Sequence, residues 1–333
     1  MNKLDFLTLF DKVCAAENAL IIGHRRPDGD CVGSAAALTH LLHSMGRRAE
    51  VMFPDPVPKR LDFLLAGLSA RAALPAGLGS WRIICVDVAS PDQLGSLAAP
   101  LSGRVFLRID HHDVGSAYAQ FEFVRRHAAA AGEIIFDLCE RAAALGLVDK
   151  IPPAALAAAY GAISSDTGCF KYSNVTPETH LRAARLIAAG VPAAAINLRL
   201  FDTKDKSQIR AEGIVQNAIE LYEDGRVSAV VIDRDRFTDG LTYEDFDTAV
   251  DITRSVRGAC VAVIVKSTDE DGVYRVSLRG NNRTRVSGIA AAFGGGGHTC
   301  AAGCTLRARD GREALRRVLE KIRELDALSE SQN

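Results

Sequence analysis

Short apolar runs alternate with longer helical patterns over the first third of the chain. ALIIG at 19–23 predicts a strand, HRRPDGD a turn, and SAAALTHLLHSMG a helix; AEVMF at 49–53 predicts a second strand, with a helix expected after the prolines that follow. WRIICVDVA at 81–89 and GRVFLRIDHH at 103–112 are rich in Val and Ile, the pattern of strands buried on both faces of a parallel sheet. The first stretch, MNKLDFLTLFDKVCAAENAL, carries Asp and Glu through its apolar positions and predicts an amphipathic helix rather than a signal peptide.

From about 130 to 220 the pattern is almost wholly helical: AAAGEIIFDLCERAAALG, PPAALAAAYGAISSD, TPETHLRAARLIAAG and a polar segment from Lys204 to Glu220. Thr176 followed by Pro177 is an N-cap with proline at the first helical position, and Gly190 is a stop. Beyond it, RVSAVVIDRD, GACVAVIVKST and GVYRVSLRG predict three strands, the last two joined as a hairpin through Asp-Glu-Asp-Gly. A helix around 284–293 precedes GGGGH, and a final helix spans about 311–328.

With 333 residues, 48% of them hydrophobic and 24% charged, the chain exceeds what one core usually holds. The expected organisation is α/β: an N-terminal domain over 1–200 with a mostly parallel sheet flanked by helices, a helical linker over 201–222, and a smaller mixed α/β domain over 223–333. The formal net charge of −1 argues against binding long nucleic acid, which needs many phosphate neutralisations. The eight cysteines are scattered without a C-x-x-C pair and read as reduced thiols of a cytoplasmic protein. No run approaches the roughly 20 apolar residues that span a bilayer, so no membrane association is expected.

The candidate chemistry collects at the ends of the predicted strands, where an open α/β sheet gathers its ligands. In His24-Arg25-Arg26-Pro27-Asp28-Gly29-Asp30, proline and glycine impose a tight, non-helical path, so that Asp28 and Asp30 can point with His24 to a common centre. The bland alternative is a turn whose Asp caps the next helix. Asp87 follows the apolar run IICV, and a carboxylate there must be paired, hydrogen-bonded or metal-bound. Asp110-His111-His112 ends another strand, where neighbouring side chains face opposite ways unless the strand bends. One histidine can ligate while the other contacts substrate, and Asp110 can accept the remaining ring N–H. Asp166 lies in SSDTGCFKYSN, among hydroxyls and glycine at a helix end.

Together these segments resemble the DHH phosphoesterases, in particular the short-oligonucleotide hydrolases of the nano-RNase and pAp-phosphatase type. HRRPDGD, VDVASPDQLG, IDHH and SDTGCFKYSN stand for the four motifs of the catalytic domain, in order, and GGGGH at 294–298, continuing TCAAG, looks like the signature of the DHH-associated C-terminal domain. The resemblance implies that His24 and Asp28 hold one metal, that Asp30, His111 and Asp166 hold another, and that Asp87 bridges them. His112 then faces the phosphate as the catalytic group, with Asp110. Gln93 and Thr299 stand where many relatives carry basic residues. Carboxylate and imidazole donors favour a hard or borderline divalent ion, and the resemblance points to two manganese ions and to a homodimer. Such a pair, about 3.5–4 Å apart, would lower the pKa of a water and stabilise both attacking and departing oxygens at phosphorus.

Between Arg275 and Arg317 nine arginines face two acidic residues, so the second domain is locally basic. Arg279 and Arg283, flanking SLRGNNR, are candidates to grip a terminal phosphate, and Gly295, Gly296, Gly297 and His298 could offer N–H groups and a side-chain donor. The implied activity is hydrolysis of very short oligoribonucleotides to mononucleotides and of 3′-phosphoadenosine 5′-phosphate (pAp) to AMP and phosphate. The cyclic or linear di-adenylate phosphodiesterases share these motifs and are not separated from it. A pyrophosphatase is disfavoured because the Ser-Arg-Lys-Lys-Gln segment of that branch is absent. The alternative from another class is a nucleotide-binding protein that has lost catalysis.

Overall fold

A computed structural model describes residues 2–238, 240–281 and 284–325. The chain divides into two compact units, Met1–Thr203 and Lys204–Asn333.

In the first unit the strands β1 (Asn2–Lys3), β2 (Asn18–Ile22), β3 (Arg48–Met52), β4 (Arg82–Val86), β5 (Val105–Asp110) and β6 (Phe121–Val124) form one sheet in the order β1-β6-β5-β4-β2-β3. Every pairing is parallel. The continuous apolar runs are two-faced, as a period of two requires. Ile21, Val51, Ile84, Leu107 and Ile109 face one core, and Leu20, Ile22, Met52, Ile83 and Cys85 face the other. Helices α1 (Phe6–Cys14) and α2 (Gly29–Ser44) belong to the first core; the short helical segment Pro91–Leu97 and α3 (Ala98–Leu101) cover the second. The first core also takes α4 (Ala131–Ala144), α5 (Pro153–Asp166), α6 (Pro177–Ala188) and α7 (Ala193–Asn197).

Glycine lets these helices touch at the backbone. A Cβ on Gly33 of α2 would lie 2.5 Å from the Ala158 carbonyl of α5, and one on Gly29 would lie 2.2 Å from Ser165 Oγ. That contact holds the start of α2 against the end of α5, and so brings Asp28 and Asp30 to Asp166. The chain runs from β2 outward to β3 and returns on the other side of β2 with β4, so the strand order reverses between β2 and β4. Ligands of open α/β sheets bind outside the strand carboxyl ends at such a point.

The second unit contains helices α8 (Lys206–Asn217) and α9 (Ala249–Arg254), which share a core with Val230, Ile232 and Ile264, and helices α10 (Ser287–Ala291) and α11 (Gly311–Glu324), which share another with Val263, Val276 and Leu278. Its strands β7 (Glu220–Tyr222), β8 (Val227–Ile232), β9 (Val261–Ser267), β10 (Val273–Gly280), β11 (Gly296–His298) and β12 (Ala301–Arg307) run in the order β11-β12-β10-β9-β8-β7, with only β8 and β9 parallel. The Asp-Glu-Asp-Gly hairpin joins β9 and β10, pairing Ser267 with Tyr274.

Several elements differ from the sequence pattern. The helix expected after the prolines is a single 3₁₀ segment, Lys59–Leu65, closed by Ala66 in a left-handed conformation. The stretch read as a linker carries α8, whose Ala211 and Val215 are buried in the core of the second unit. The last three residues of GGGGH, for which the sequence suggested no strand, are β11, an edge strand. β1 and β6 carried too few residues to be read. No single helix among the described residues is long and apolar enough to cross a membrane.

Candidate active site

β2 ends at Ile22, and the next residues reach the sheet's carboxyl edge. Asp28 is the N-cap of α2, its Oδ1 accepting from Cys31 N at 3.0 Å, so the capping role is real. Asp30 is not on the loop, as the Pro-Asp-Gly sequence suggested, but in the first helical turn. Capping by Asp28 lets the helix begin one residue after it. Asp30 is buried, and its Oδ1 accepts from Ser34 Oγ at 2.7 Å and Gly132 N at 2.9 Å. Its Oδ2 accepts from Ala131 N at 2.6 Å, which seats the carboxylate on the N-terminus of α4, where partial positive charge favours it.

Asp87 follows the last residue of β4. Its N–H extends the ladder to Ile109 O at 2.9 Å, but its φ is 58°, a left-handed conformation that costs about 1–3 kcal/mol in a non-glycine residue. The side chain is buried and Oδ1 has no hydrogen-bond partner among the described residues. Three imidazoles surround it: His24 Nε2 lies 3.5 Å from Oδ2, and His111 Nε2 and His112 Nδ1 lie 3.5 and 3.4 Å from Oδ1.

β5 ends at Asp110, and because the strand stops there both following histidines reach Asp87, their ring centroids 4.8 Å apart. His111 Nδ1 lies 3.2 Å from Ala128 O, and its Nε2 is 3.6 Å from Asp30 Oδ2 and 3.7 Å from Asp166 Oδ2. Asp110 Oδ1 accepts from His112 Nδ1 at 2.7 Å and from His111 N at 2.8 Å. Asp166, the last residue of α5, has its carbonyl held by Asn174 Nδ2 at 3.1 Å. His24 Nε2 is 3.7 Å from Asp28 Oδ1. All the acidic and histidine positions expected from the first unit therefore meet at one edge.

Crowded carboxylates bear the mark of that assembly. Burial, with the Asp87 charge adding to it, holds Asp30 well above the usual carboxylate range. Burial likewise pushes Asp166 up to about 7, Asp28 and Asp87 adding to it against the attraction of His111. Asp110 behaves oppositely: against the cost of burial, the His112 hydrogen bond and the Arg108 charge hold it down at about 2. Like charges disfavour joint ionisation, whereas a cation among them restores it. Donor atoms lie within 4.8 Å of one another in three groups, Asp30-His111-Asp166, Asp87-His111-His112 and His24-Cys31-Asp87.

Cys31 was read only as one of the reduced thiols. It stands in the last group, but burial pushes it up to about 11, and its Sγ accepts from His24 N at 3.1 Å, so it anchors the loop as a neutral thiol. Gln93 clips two motifs together, its Oε1 accepting from Ala89 N at 2.5 Å and its carbonyl from Arg25 N at 2.7 Å. Arg108 and Glu122, both buried, carried no signal in the sequence because their relation depends on β6.

The second unit's candidates are differently placed. Arg279 lies on β10 with Nη1 donating to Leu278 O at 3.1 Å. Arg283 lies outside the described residues, as does the side chain of His298. The N–H groups of Gly294 and Gly295 donate to Ala291 and Ala290 carbonyls at 3.0 and 2.9 Å, so neither is available to a phosphate. A Cβ on Gly295 would lie 2.2 Å from Gly303 O, and one on Gly297 2.4 Å from Ala301 O; close packing on β12 demands glycine at both. At Gly296 alone of these three the space is open.

Acidic and imidazole donors at the reversal of a parallel sheet, followed by a separate mixed α/β unit, define a DHH-type phosphoesterase. The family model described as the DHH family, N-terminal domain, matches residues 18–163, and the DHHA1 domain matches 226–325. The bifunctional oligoribonuclease and PAP phosphatase NrnA of Thermus thermophilus is 31% identical, covering 93% of this chain and 91% of its own. The protein of the same name from Bacillus subtilis is 26% identical over 90% of this chain and 92% of its own. The cyclic-di-AMP phosphodiesterase PdeA of Listeria monocytogenes is 23% identical, and the match covers 94% of this chain but 48% of that protein. An exopolyphosphatase-related protein from Bacteroides fragilis shares the fold, with a TM-score of 0.81 at 20% identity over 96% of this chain and 97% of its own. The chain belongs to the DHH family.

Proposed function

We propose that this protein is a divalent-cation-dependent phosphoesterase that degrades very short oligoribonucleotides to mononucleotides and converts pAp to AMP and phosphate in the cytoplasm. Asp87 carries the proposal: a buried carboxylate, held in a left-handed conformation and ringed by three imidazoles, whose Oδ1 has no hydrogen-bond partner among the described residues. Leaving such an oxygen unsatisfied costs about 1–3 kcal/mol, which ligation of a cation offsets.

The donor set fits a pair of hard or borderline ions, since all its donors but Cys31 are carboxylate oxygens or imidazole nitrogens. We assign His24 and Asp28 to one, Asp30, His111 and Asp166 to the other, Asp87 to both, and manganese as the metal. When bound, these cations would neutralise phosphate charge and acidify an attacking water. His112, with Nδ1 donating to Asp110, presents Nε2 to the phosphate, where it stabilises developing charge or passes a proton to the leaving oxygen. Arg279, Arg283, Gly296 and His298 are assigned to the nucleotide. The modest net charge of −1 suits a short ligand, and the activities named for the T. thermophilus and B. subtilis relatives support this choice over a cyclic substrate.

The test is product release with manganese from 5′-phosphorylated di-adenylate, pAp, cyclic di-adenylate and pyrophosphate at equal concentration. Fast turnover of the first two is expected. Preference for the cyclic substrate would move the protein to second-messenger degradation, and silence toward all four would leave a binding protein.

A further inference from the structure

Arg108 and Asp110 are two residues apart on β5, so their side chains stand on the same face, and the parallel register sets Glu122 of β6 directly opposite Arg108. All three are buried, with 4%, 0% and 6% of their surface exposed. Arg108 donates from Nε at 3.1 Å and from Nη2 to Asp110 Oδ2, and from Nη1 to Glu122 Oε2 at 3.1 Å and to Ser116 O at 3.2 Å. Glu122 Oε1 accepts from the backbone N–H of Tyr118 at 2.7 Å and of Ala119 at 2.9 Å. Both Asp110 oxygens are thus occupied, Oδ2 by the guanidinium and Oδ1 by His112 and the backbone N–H of His111.

The network reaches a second motif. Tyr118 Oη donates to Val88 O at 2.9 Å and Ser116 N to Ala89 O at 3.1 Å, so the loop after His112 is fastened to the residues just beyond Asp87. Gly115 makes this possible, since a Cβ there would lie 2.3 Å from Ala89 O and 2.9 Å from Arg108 Nη2.

A buried ion pair adds little net stability over an apolar pair of the same shape, so its retention here calls for another reason. The backbone N–H groups of His111 and His112 hold Oδ1 from one side, and the guanidinium on Oδ2 holds the carboxylate from the other, so that together they set its plane. We infer that Arg108 and Glu122 are positioning residues for the hydrolytic reaction: they lock the Asp110 carboxylate so that His112 keeps its proton on Nδ1 and turns Nε2 to the phosphate. This rests on the assignment of His112 to the phosphate. Lysine cannot replace Arg108, because a point charge lacks the fork that engages Oδ2 twice while holding Glu122.

The test compares wild type, Arg108→Met, Glu122→Gln and the double variant Arg108→Met/Glu122→Gln, each alone and combined with His112→Asn. Should Arg108→Met fail to fold, the double variant removes both charges together, and Glu122→Gln keeps an acceptor for Tyr118 and Ala119. We expect kcat on pAp to fall roughly 10–100-fold, as for the loss of an outer-shell partner, with KM and manganese affinity unchanged. In the His112→Asn background the same changes should lower kcat no further, because the positioned group is gone. Nitrogen chemical shifts of His112 should report a single Nδ1–H tautomer in wild type and a mixture in the double variant. Full additivity with His112→Asn, or an unchanged tautomer, would overturn the positioning role while leaving the phosphoesterase reading intact. Wild-type turnover by His112→Asn itself would remove the assignment of His112 and this inference with it.

Discussion

The acidic edge of the first unit and the arginine and glycine candidates of the second are held in contrasting ways. Asp30 is fixed by a hydroxyl and two helix N–H groups, and Asp110 by a guanidinium, an imidazole and the backbone. By contrast, Arg279 is half-buried on a strand, and Gly296 lies on an edge strand with open space beside it. The proposed roles account for the difference. Charge stabilisation at phosphorus depends on groups held to a fraction of an ångström, whereas gripping a flexible nucleotide tolerates adjustment. Buried, cross-braced carboxylates suit the first task and a sheet edge suits the second.

The contrast breaks if the acidic edge tolerates change. Asp87→Ala should lose more activity than the roughly 10–100-fold that removal of an outer-shell partner costs, measured as AMP release from pAp. Turnover equal to wild type would remove Asp87 from the centre of the site. Next in size, Asp30→Asn turns an amide N–H toward one of the N–H groups of Ala131 and Gly132. It should weaken cation binding, while in the cation-free protein the lost hydrogen bond, about 1–3 kcal/mol, is offset by relief of burial and of the Asp87 repulsion. Unchanged manganese affinity, measured by titration calorimetry, would remove Asp30 from the site.

For the second unit the expected effects are smaller and fall on recognition. Arg279→Ala should raise KM for 5′-phosphorylated di-adenylate about tenfold, the size of one charge-assisted hydrogen bond, and leave manganese affinity alone. A drop in kcat at constant KM would instead tie Arg279 to the chemistry. Smallest and most discriminating are two glycine changes. Gly297→Ala, at φ 144° and against Ala301 O, should destabilise the unit by about 1–3 kcal/mol in denaturant unfolding. Gly296→Ala should leave stability within about 0.5 kcal/mol and affect only substrate KM.

Much of the acidic edge was legible in the sequence because strands of a parallel sheet are continuous apolar runs, and chemistry placed at their carboxyl ends interrupts those runs. Asp87 after IICV and Asp110-His111-His112 after VFLRI are such interruptions. Asp28 and Asp30 were assigned to the site but not to the helix, since Pro-Asp-Gly signals a turn and α2 begins inside it. Arg108 and Glu122 were invisible: they are fourteen residues apart, and their contact exists only because the four-residue strand β6 pairs in parallel with β5. The strand within the glycine run was hidden for a related reason. Glycine has poor strand propensity, so nothing in GGGGH announces β11, whose place is set by β12 beside it.

The central claim is that Asp87 sits between two divalent cations. Anomalous scattering from crystals of the manganese-loaded protein measures this directly. The account predicts two peaks, one beside His24 and Asp28 and one beside Asp30, His111 and Asp166, with Asp87 touching both. A single peak away from Asp87, or none at saturating manganese, would contradict it.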